Sequence, residues 1–400
     1  MSRRLGLWLI GAHGGVATSV AIGLAALQRQ LTDSCGLVSE LPIFEELNLI
    51  DWHNMVVGGH DIRQTDSLTE AKKLASGMAA AIQPGLVDQC TDFLNELDQR
   101  IKPGVLLNCG TTIEQLSHEA HVQQVNSGRH AVQLIQDDLR AFADDQQCDS
   151  VVVINLASTE PIPDELQVPE NWSDAERLLD QPDCPLPAST IYAIAALELG
   201  FGYVNFTPSL GSNLPALDQL AVERKTVHAG CDGKTGETFL KSVLAPAFAR
   251  RNLQIMSWVG HNIFGNMDGQ VLQDPINKKT KVDSKDHLLG QMLGYHPQSH
   301  ISIEYIRSLG DWKTAWDHIH FKGFLGTPMV LQFTWQGCDS ILAAPLVLDL
   351  CRFTEMAQQR GDVGMLVFLS SFFKSPMGTR ENDFIEQFQL LTDWTTRMSM

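Results

Sequence analysis

Short apolar runs alternate with longer helical patterns over the first 230 residues of this chain. Four compact apolar runs predict strands: residues 5–10, 105–108, 151–156 and 203–206. Four longer stretches have the length and composition typical of helices: residues 16–31, 68–82, 87–101 and 190–199. Because short buried strands alternate with helices, the pattern predicts a parallel sheet covered on both faces.

The pattern changes after about residue 229. A loop that leads into a helix is predicted over residues 232–250. Four β-rich runs then predict an antiparallel sheet with one face packed on helices: residues 253–259, 301–306, 319–324 and 330–335. Residues 345–358 and 363–373 are again helical in pattern, whereas the proline-rich, acidic stretch 160–187 predicts a solvated loop.

The fold class is therefore α/β. We expect a Rossmann-like, doubly wound parallel sheet with an inserted α+β domain. The NAD-binding domain would comprise residues 1–228 and 345–400, and the inserted domain residues 229–344.

Residues 5–28 carry no Asp, Glu, Lys or Arg, and Arg3 and Arg4 precede them. By length this segment is compatible with a membrane-spanning helix or a signal peptide. Glycines and small polar residues interrupt its middle, however, and it divides naturally into a strand, a glycine turn and a helix. The soluble interpretation is therefore favoured.

The chain of 400 residues is strongly acidic, with a formal net charge of −18. Nucleic-acid and membrane surfaces are anionic, so this balance argues against both as partners. The eight cysteines are scattered and form no CxxC pair, which is typical of reduced thiols in a cytoplasmic protein.

The turn Gly11-Ala-His-Gly14-Gly15 follows the first strand and precedes a helix. A dinucleotide pyrophosphate binds at such a place, although G-x-x-G-G matches the usual G-x-G-x-x-G fingerprint only in part and a plain tight turn is the alternative. Asp61, after a glycine pair, could accept a bond from an adenosine ribose hydroxyl or could cap the helix near Ser67. Asn155 and Asn205 end two further strands, at the edge where ligands of parallel sheets bind.

A basic cluster lies in the predicted insertion: Lys278, Lys279, Lys281 and Lys285. It is either a solvated loop or, together with Thr235 and Gly236 at a helix start, a second anion site. Lys313, Asp339 and Lys374 lie in apolar or aromatic contexts. The conservative interpretation is a structural ion pair, Lys313–Asp339 or Lys374–Asp339; the alternative is proton transfer by a lysine.

The chain resembles the myo-inositol-1-phosphate synthase (inositol-3-phosphate synthase) family, especially its short prokaryotic and archaeal members. The resemblance covers almost the whole chain, and the motifs agree in letters, spacing and order. Besides the Gly11 turn, they begin at Gly58 (GGHDI), Ala157 (ASTEP), Asn205 (NFTPS), Asp232 (DGKTGET), Asn262 (NIFGNMDG), Lys281 (KVDSK), His320 (HFKGF) and Phe372 (FFKSP).

The resemblance implies conversion of glucose 6-phosphate to inositol 1-phosphate (the 1L-1, equivalently 1D-3, isomer) without net redox change. NAD takes hydride from C5, a proton leaves C6, the enolate closes on the C1 aldehyde, and hydride returns to C5. The family also implies a homotetramer, built through the inserted domain, and leaves the need for a divalent or monovalent cation open.

The resemblance also implies roles for individual residues. The catalytic residues would be Lys281, Lys313, Lys374 and Asp339, with Lys281 and Lys374 nearer C5 and Lys313 nearer C1. The substrate phosphate would be held by Lys285, Thr235, Gly236 and Asn266. The NAD site would be formed by Gly11, Ala12, His13, Gly14, Gly15, Val16, Asp61, Ile62, Ala157, Ser158, Thr159, Asn205 and Asn262, with Asp232 and Asp268 supporting the nicotinamide end and any cation.

This chain departs from the family pattern at two places. Gly260-His-Asn-Ile-Phe264 replaces the Ser-Tyr-Asn-His-Leu of longer members, and the strand-end tryptophan and asparagine of eukaryotic members are replaced around Leu156 and Ser158. Two other functions stay open on the same scaffold. An NAD-dependent phosphosugar dehydrogenase would accumulate NADH. A non-catalytic NAD-binding protein would have no need for Lys281, Lys313 and Lys374, all of which are present.

Overall fold

The computed structural model describes residues 3–76, 80–161, 168–265, 289–290 and 292–399. Over this part the helices are α1 (Gly15–Gln28), α2 (Ser67–Leu74), α3 (Pro84–Gln89), α4 (Thr91–Asp98), α5 (Thr111–Leu116), α6 (Gly128–Asp145), α7 (Trp172–Leu179), α8 (Ala188–Glu198), α9 (Pro215–Glu223), α10 (Gly236–Arg250), α11 (Asp339–Gln359) and α12 (Phe384–Ser399). The strands are β1 (Leu5–Ile10), β2 (Met55–Asp61), β3 (Ile101–Pro103), β4 (Ser150–Asn155), β5 (Gly202–Asn205), β6 (Val227–Gly230), β7 (Gln254–Phe264), β8 (Gln298–Tyr305), β9 (Trp312–Lys322), β10 (Pro328–Cys338) and β11 (Gly364–Met365).

The first sheet, as far as the chain is described, has seven parallel strands in the order β11-β6-β5-β4-β1-β2-β3. All residues of β1 and β2 are buried, as expected for strands with helices on both faces. After β1 the chain forms β2 and β3 on one side of that strand and then crosses to form β4 on its other side, so the strand order reverses direction at β1. In such sheets the crevice at the carboxyl ends of the strands, at this switch point, is where ligands bind.

The second sheet has the order β10-β9-β7-β8 within the described residues. The antiparallel sheet predicted from sequence is confirmed for β10, β9 and β7, but β8 runs parallel to β7. Helix α10 packs against one face, where Trp258 and Ile319 are fully buried. The two sheets fall largely into the two segments predicted as domains, and that division of the chain stays a prediction.

Several predicted elements differ from the structure. The strand expected at 105–108 lies earlier, at β3, and the helix expected at 87–101 is two short helices, α3 and α4. Residues 363–373 form the short strand β11 and a 3₁₀ helix, Val367–Phe372, instead of one helix. The expected solvated loop contains α7, which buries Trp172 and Leu179 because its apolar residues recur at helical spacing.

The uncharged segment 5–28 forms β1, the glycine turn and α1. This arrangement confirms the division into strand, turn and helix that its glycines predicted. Among the described residues, no helix combines the length and the apolar composition that crossing a bilayer requires.

Candidate active site

A cavity of about 550 Å³ lies where the carboxyl edge of the parallel sheet faces the second sheet. Its walls come from both halves of the chain. Predicted site residues that line it are Gly11, Gly14, Gly15, Val16, Asp61, Ile62, Ala157, Ser158, Thr159, Asp232, Thr235, Asn262, Lys313, Asp339 and Lys374. The volume is within the range typical of small-molecule and cofactor sites.

The glycine turn leaves space and hydrogen-bond donors at the start of α1. Gly11 has a φ of +81°, and a Cβ there would lie 3.0 Å from the Ala157 Cα. Gly14 is the N-cap of α1 and provides no side chain to bond the free N–H groups of the first turn. These features fit a dinucleotide pyrophosphate, which needs close backbone approach and amide donors.

Asp61 is almost fully buried at the end of β2. Its Oδ2 accepts a hydrogen bond from the His13 backbone N–H at 2.8 Å, and its Oδ1 accepts from the Arg63 backbone N–H at 2.9 Å. The alternative role as a helix cap is excluded, because Asp66 caps α2 by accepting from the Thr69 N–H. Since a carboxylate can accept further bonds, Asp61 still fits a ribose hydroxyl.

Three residues expected at the cofactor lie behind the cavity wall: Ala12, His13 and Asn205. The buried His13 ring lies 3.1 Å from the Asp98 carboxylate. Asn205 accepts bonds from Thr207 through Oδ1 and donates to the Ser209 carbonyl at 2.6 Å through Nδ2. The structure therefore places His13 and Asn205 where they support the loops that line the cavity.

Glu160 is a cavity residue to which the sequence assigned no role. Its carboxylate accepts a hydrogen bond of 3.1 Å from the backbone N–H of Ser189, near the start of α8. Burial raises the pKa of Glu160 to about 7, against the opposing effect of the bonds from Ser189. Its place directly after Ser158 and Thr159, in the loop that follows β4, was the signal that could have identified it.

Two lysine–carboxylate pairs face the cavity. The Lys313 Nζ lies 3.6 Å from Asp339 Oδ2, which confirms one of the expected pairs. The Lys374 Nζ lies 2.9 Å from Asp232 Oδ1, so the alternative pair between Lys374 and Asp339 is wrong. Lys313 also makes a cation–π contact with the Phe264 ring, with its Nζ 5.4 Å from the ring centroid.

The backbone explains why Lys374 meets Asp232. The Lys374 N–H donates to the Asp232 carbonyl, and the Lys234 N–H donates to the Phe372 carbonyl at 2.8 Å. Gly233 and Phe373 thus form an antiparallel bridge between two segments distant in sequence. This bridge places the two side chains on neighbouring backbone positions.

The expected phosphate-binding turn lies at the start of α10. Thr235 is the N-cap of α10 and lines the cavity, while its side chain makes no capping bond. Gly236 has a φ of +58°, and a Cβ there would lie 3.4 Å from the Trp335 Nε1. Four other predicted site residues lie outside the described residues: Asn266, Asp268, Lys281 and Lys285.

Asn262 gives an independent indication of a ligand. It is fully buried on β7 and lines the cavity, yet neither atom of its amide group has a hydrogen-bond partner in the structure as described. Unpartnered buried amides are costly and rare, and they often mark groups that bind a ligand. The cavity therefore fits a cofactor with polar groups.

A cation site is not apparent in the described ranges. No group of three or more His, Cys, Asp or Glu side chains in them is arranged to hold a metal ion. Asp268, which the family resemblance connects with a cation, is not among them.

The sequence is similar to one known family along nearly its whole length. A family model described as myo-inositol-1-phosphate synthase matches residues 5–396. Inositol-3-phosphate synthase 1 of Bacteroides thetaiotaomicron is 31% identical, over 98% of this chain and 93% of that protein. Inositol-3-phosphate synthase 1 of Rattus norvegicus is 28% identical, over 94% of this chain and 74% of that protein.

Two solved structures are similar to this chain. The crystal structure of inositol-3-phosphate synthase from Caenorhabditis elegans matches with a TM-score of 0.89 over 100% of this chain and 86% of that chain; at 22% identity the match shows the fold alone. A myo-inositol-1-phosphate synthase-related protein from Thermotoga maritima has a TM-score of 0.78 and 25% identity, over 98% of this chain and 99% of that chain. Both support the α/β fold class.

Proposed function

The chain belongs to the myo-inositol-1-phosphate synthase family, and from this premise we propose how its cavity carries out the isomerisation of D-glucose 6-phosphate to 1D-myo-inositol 3-phosphate. The enzyme uses NAD, which when bound supplies a reversible hydride acceptor for a reaction without net redox change. The observation that carries the proposal is the placement of Lys313, Lys374 and their carboxylates in the same cavity as the Gly11 turn.

The cofactor would bind through the backbone of the glycine turn and through Asp61. The N-terminus of α1 would accept the pyrophosphate, since its amide groups and dipole favour negative charge. Asp61 would accept a hydrogen bond from a ribose hydroxyl. Residues 157–159, which follow the end of β4, would also contact the dinucleotide. The side-chain amide of Asn262 would form its hydrogen bonds with the bound ligand.

The lysines would act on oxygens that become negative during the reaction. Lys374, beside Asp232, would donate a hydrogen bond to the C5 oxygen and exchange a proton with it. Lys313, held by Asp339, would stabilise the C1 oxygen as the ring closes. Fixed ammonium groups in a partly desolvated cavity stabilise such oxyanions without reorganising. Asp232 would also support the nicotinamide end.

The α10 N-terminus would hold the phosphate of the sugar. Thr235 offers a hydroxyl group, and Gly236 offers a backbone amide at the positive end of the helix dipole. The family resemblance would add Lys285 and Asn266 to this phosphate site and Lys281 to the set of lysines; all three lie outside the described residues. Fixing the phosphate and both reacting ends of the open-chain sugar removes much of the entropic barrier to cyclisation.

The direct test is incubation of the purified protein with NAD and glucose 6-phosphate. We expect inositol phosphate in the phosphorus NMR spectrum, with no steady accumulation of NADH absorbance, because the hydride is returned in each cycle. A reaction without protein is the control. Stoichiometric NADH without inositol phosphate would instead identify a phosphosugar dehydrogenase.

We further propose that the chain forms a homotetramer through its second sheet. The tip between β9 and β10 exposes Phe324 and Leu325 by 88% and 86%, and Val330 on the edge strand is half exposed. Residues 323–338 contain no charged side chain. Long, uncharged edge strands pair readily with other chains, which favours an interface here.

Light scattering should therefore give a mass of four times the 44.2 kDa chain. The double substitution Phe324→Asp and Leu325→Asp should lower that mass by placing charges in the interface. Ile385→Asp is the matched control, because Ile385 is an exposed apolar residue on α12 and belongs to no strand of this sheet. A monomeric wild-type protein would refute the proposal.

The free state of all eight cysteines is compatible with the proposed cytoplasmic location, where thiols stay reduced.

A further inference from the structure

Asp311 lies where three functional elements meet. It directly precedes β9, two residues before Lys313, and it lines the cavity. Its carboxylate lies at the start of α11, whose first residue is Asp339, the partner of Lys313. The motifs of the sequence assign no role to Asp311.

Three hydrogen bonds attach Asp311 to α11. Its Oδ2 accepts the Ser340 backbone N–H at 3.1 Å and the Cys338 thiol at 2.7 Å, and its Oδ1 accepts the Ser340 hydroxyl at 3.0 Å. Cys338, the N-cap residue of α11, forms no capping bond with its own side chain. Asp311 therefore caps this helix from the segment that directly precedes β9.

The same group of atoms reaches the glycine turn. A Cβ at Gly15 would lie 2.7 Å from the Ser340 Oγ and 3.7 Å from the Asp311 Oδ1. Gly15 is the first residue of α1, where the cofactor pyrophosphate is expected. The side chains of Asp311 and Ser340 thus lie against the cofactor turn on one side and beside the start of α11, which carries Asp339, on the other.

The surroundings of Asp311 do not favour a negative charge. Burial raises the pKa of this carboxyl, and the neighbouring Asp339 acts in the same direction, although bonds from Cys338 and Ser340 oppose the shift. An asparagine could satisfy the same partners, with its oxygen accepting from the Ser340 N–H and Cys338 and its NH₂ donating to the Ser340 hydroxyl.

We propose that Asp311 is a positioning residue that, through hydrogen bonds and not through its charge, aligns the Lys313–Asp339 pair with the cofactor turn at Gly15. The inference rests on the proposed function of these groups. A displacement of reacting groups by about 1 Å can cost about 100-fold in rate, so loss of this alignment should be visible in kcat.

The experiment compares Asp311→Ala with Asp311→Asn in the inositol phosphate assay. Asp311→Ala should lower kcat by about 100-fold, whereas Asp311→Asn should stay close to wild type because it keeps all three bonds. Asp66→Ala is the matched control, since it removes a helix-capping carboxylate at α2, and Asp66 does not line the cavity. It should lower the melting temperature without changing kcat.

Three results would overturn the proposal. Full activity of Asp311→Ala would show that alignment does not depend on this group. An Asp311→Asn variant as poor as Asp311→Ala would show that the charge itself acts. An Asp66→Ala variant with an equal loss of kcat would show that activity merely follows stability.

Should Asp311→Ala fail to fold, a double Cys338→Ala and Ser340→Ala variant removes two of the three bonds and keeps the backbone bond. It should lose part of kcat, and wild-type kcat in this variant would contradict the proposal. Failure of the proposed function itself would be distinguishable, because the wild-type protein would then form no inositol phosphate in the same assay.

Discussion

Alanine in place of Lys374 should lower kcat about 1,000-fold while NAD binding persists. General acid–base groups contribute about 100- to 10,000-fold, and single oxyanion donors about 100- to 1,000-fold. Lys374 would serve in both ways at the C5 oxygen. The backbone bridge that holds its segment against Asp232 involves main-chain atoms, so the substitution should leave the fold intact. The measurements are inositol phosphate formation by phosphorus NMR and NAD affinity by calorimetry.

The control for this experiment is Lys72→Ala. Lys72 is exposed on α2 and does not line the cavity, so its loss should leave both kcat and the Kd for NAD unchanged. Near-normal turnover of Lys374→Ala would remove Lys374 from the chemistry. Loss of NAD binding together with turnover would point to a role in holding the cofactor.

Gly59→Ala is expected to destabilise the parallel sheet by about 3 kcal/mol and to abolish NAD binding. A Cβ at Gly59 would lie closer to the Leu9 carbonyl oxygen than real Cβ atoms approach, and 2.7 Å from the Ala12 Cβ. Both neighbours are on or beside β1. Since backbone cannot move aside as a flexible side chain can, β1 and β2 must separate, and the glycine turn moves with them.

Gly85→Ala is the matched control. Gly85 is exposed in α3, and a Cβ there would meet nothing within 4 Å. Alanine should be neutral or stabilising by about 0.4–1 kcal/mol, because it lowers the entropy of the unfolded chain. The urea midpoint and an NAD titration report the two effects. Wild-type values for Gly59→Ala would refute the close approach of β2 to β1.

Much of the fold could be predicted from local sequence pattern. β1, β4, β5, α1 and α8 lie where the apolar runs and alanine-rich stretches placed them. The prediction of a helix over residues 363–373 was wrong, because a short apolar stretch is equally compatible with a helix, a strand and a 3₁₀ turn. Its surroundings decide among them, and here Gly364 and Met365 pair with β6.

The components of the candidate site were predictable, and so was one of its two ion pairs, Lys313–Asp339; the partner of Lys374 was not. The motifs around Gly11, Asp61 and Ala157 indicated the cofactor side, and the cavity contains them. Lys374 pairs with Asp232, although Asp339 was an equally good partner in the sequence. Ion-pair choice depends on distances of a few ångströms, which motif order does not encode.

The positions of strands, turns and helices, and the chemical types available for catalysis, follow from the order of residues in the chain. Apolar periodicity and glycine conformational freedom act over a few neighbouring residues, so a linear pattern is enough to determine them. The arrangement of Asp311, Ser340 and Gly15 around one point, and the bridge that joins Asp232 to Lys374, arise only on folding. These contacts join segments that can be more than 300 residues apart, and their geometry is set by how the two sheets and α11 pack together.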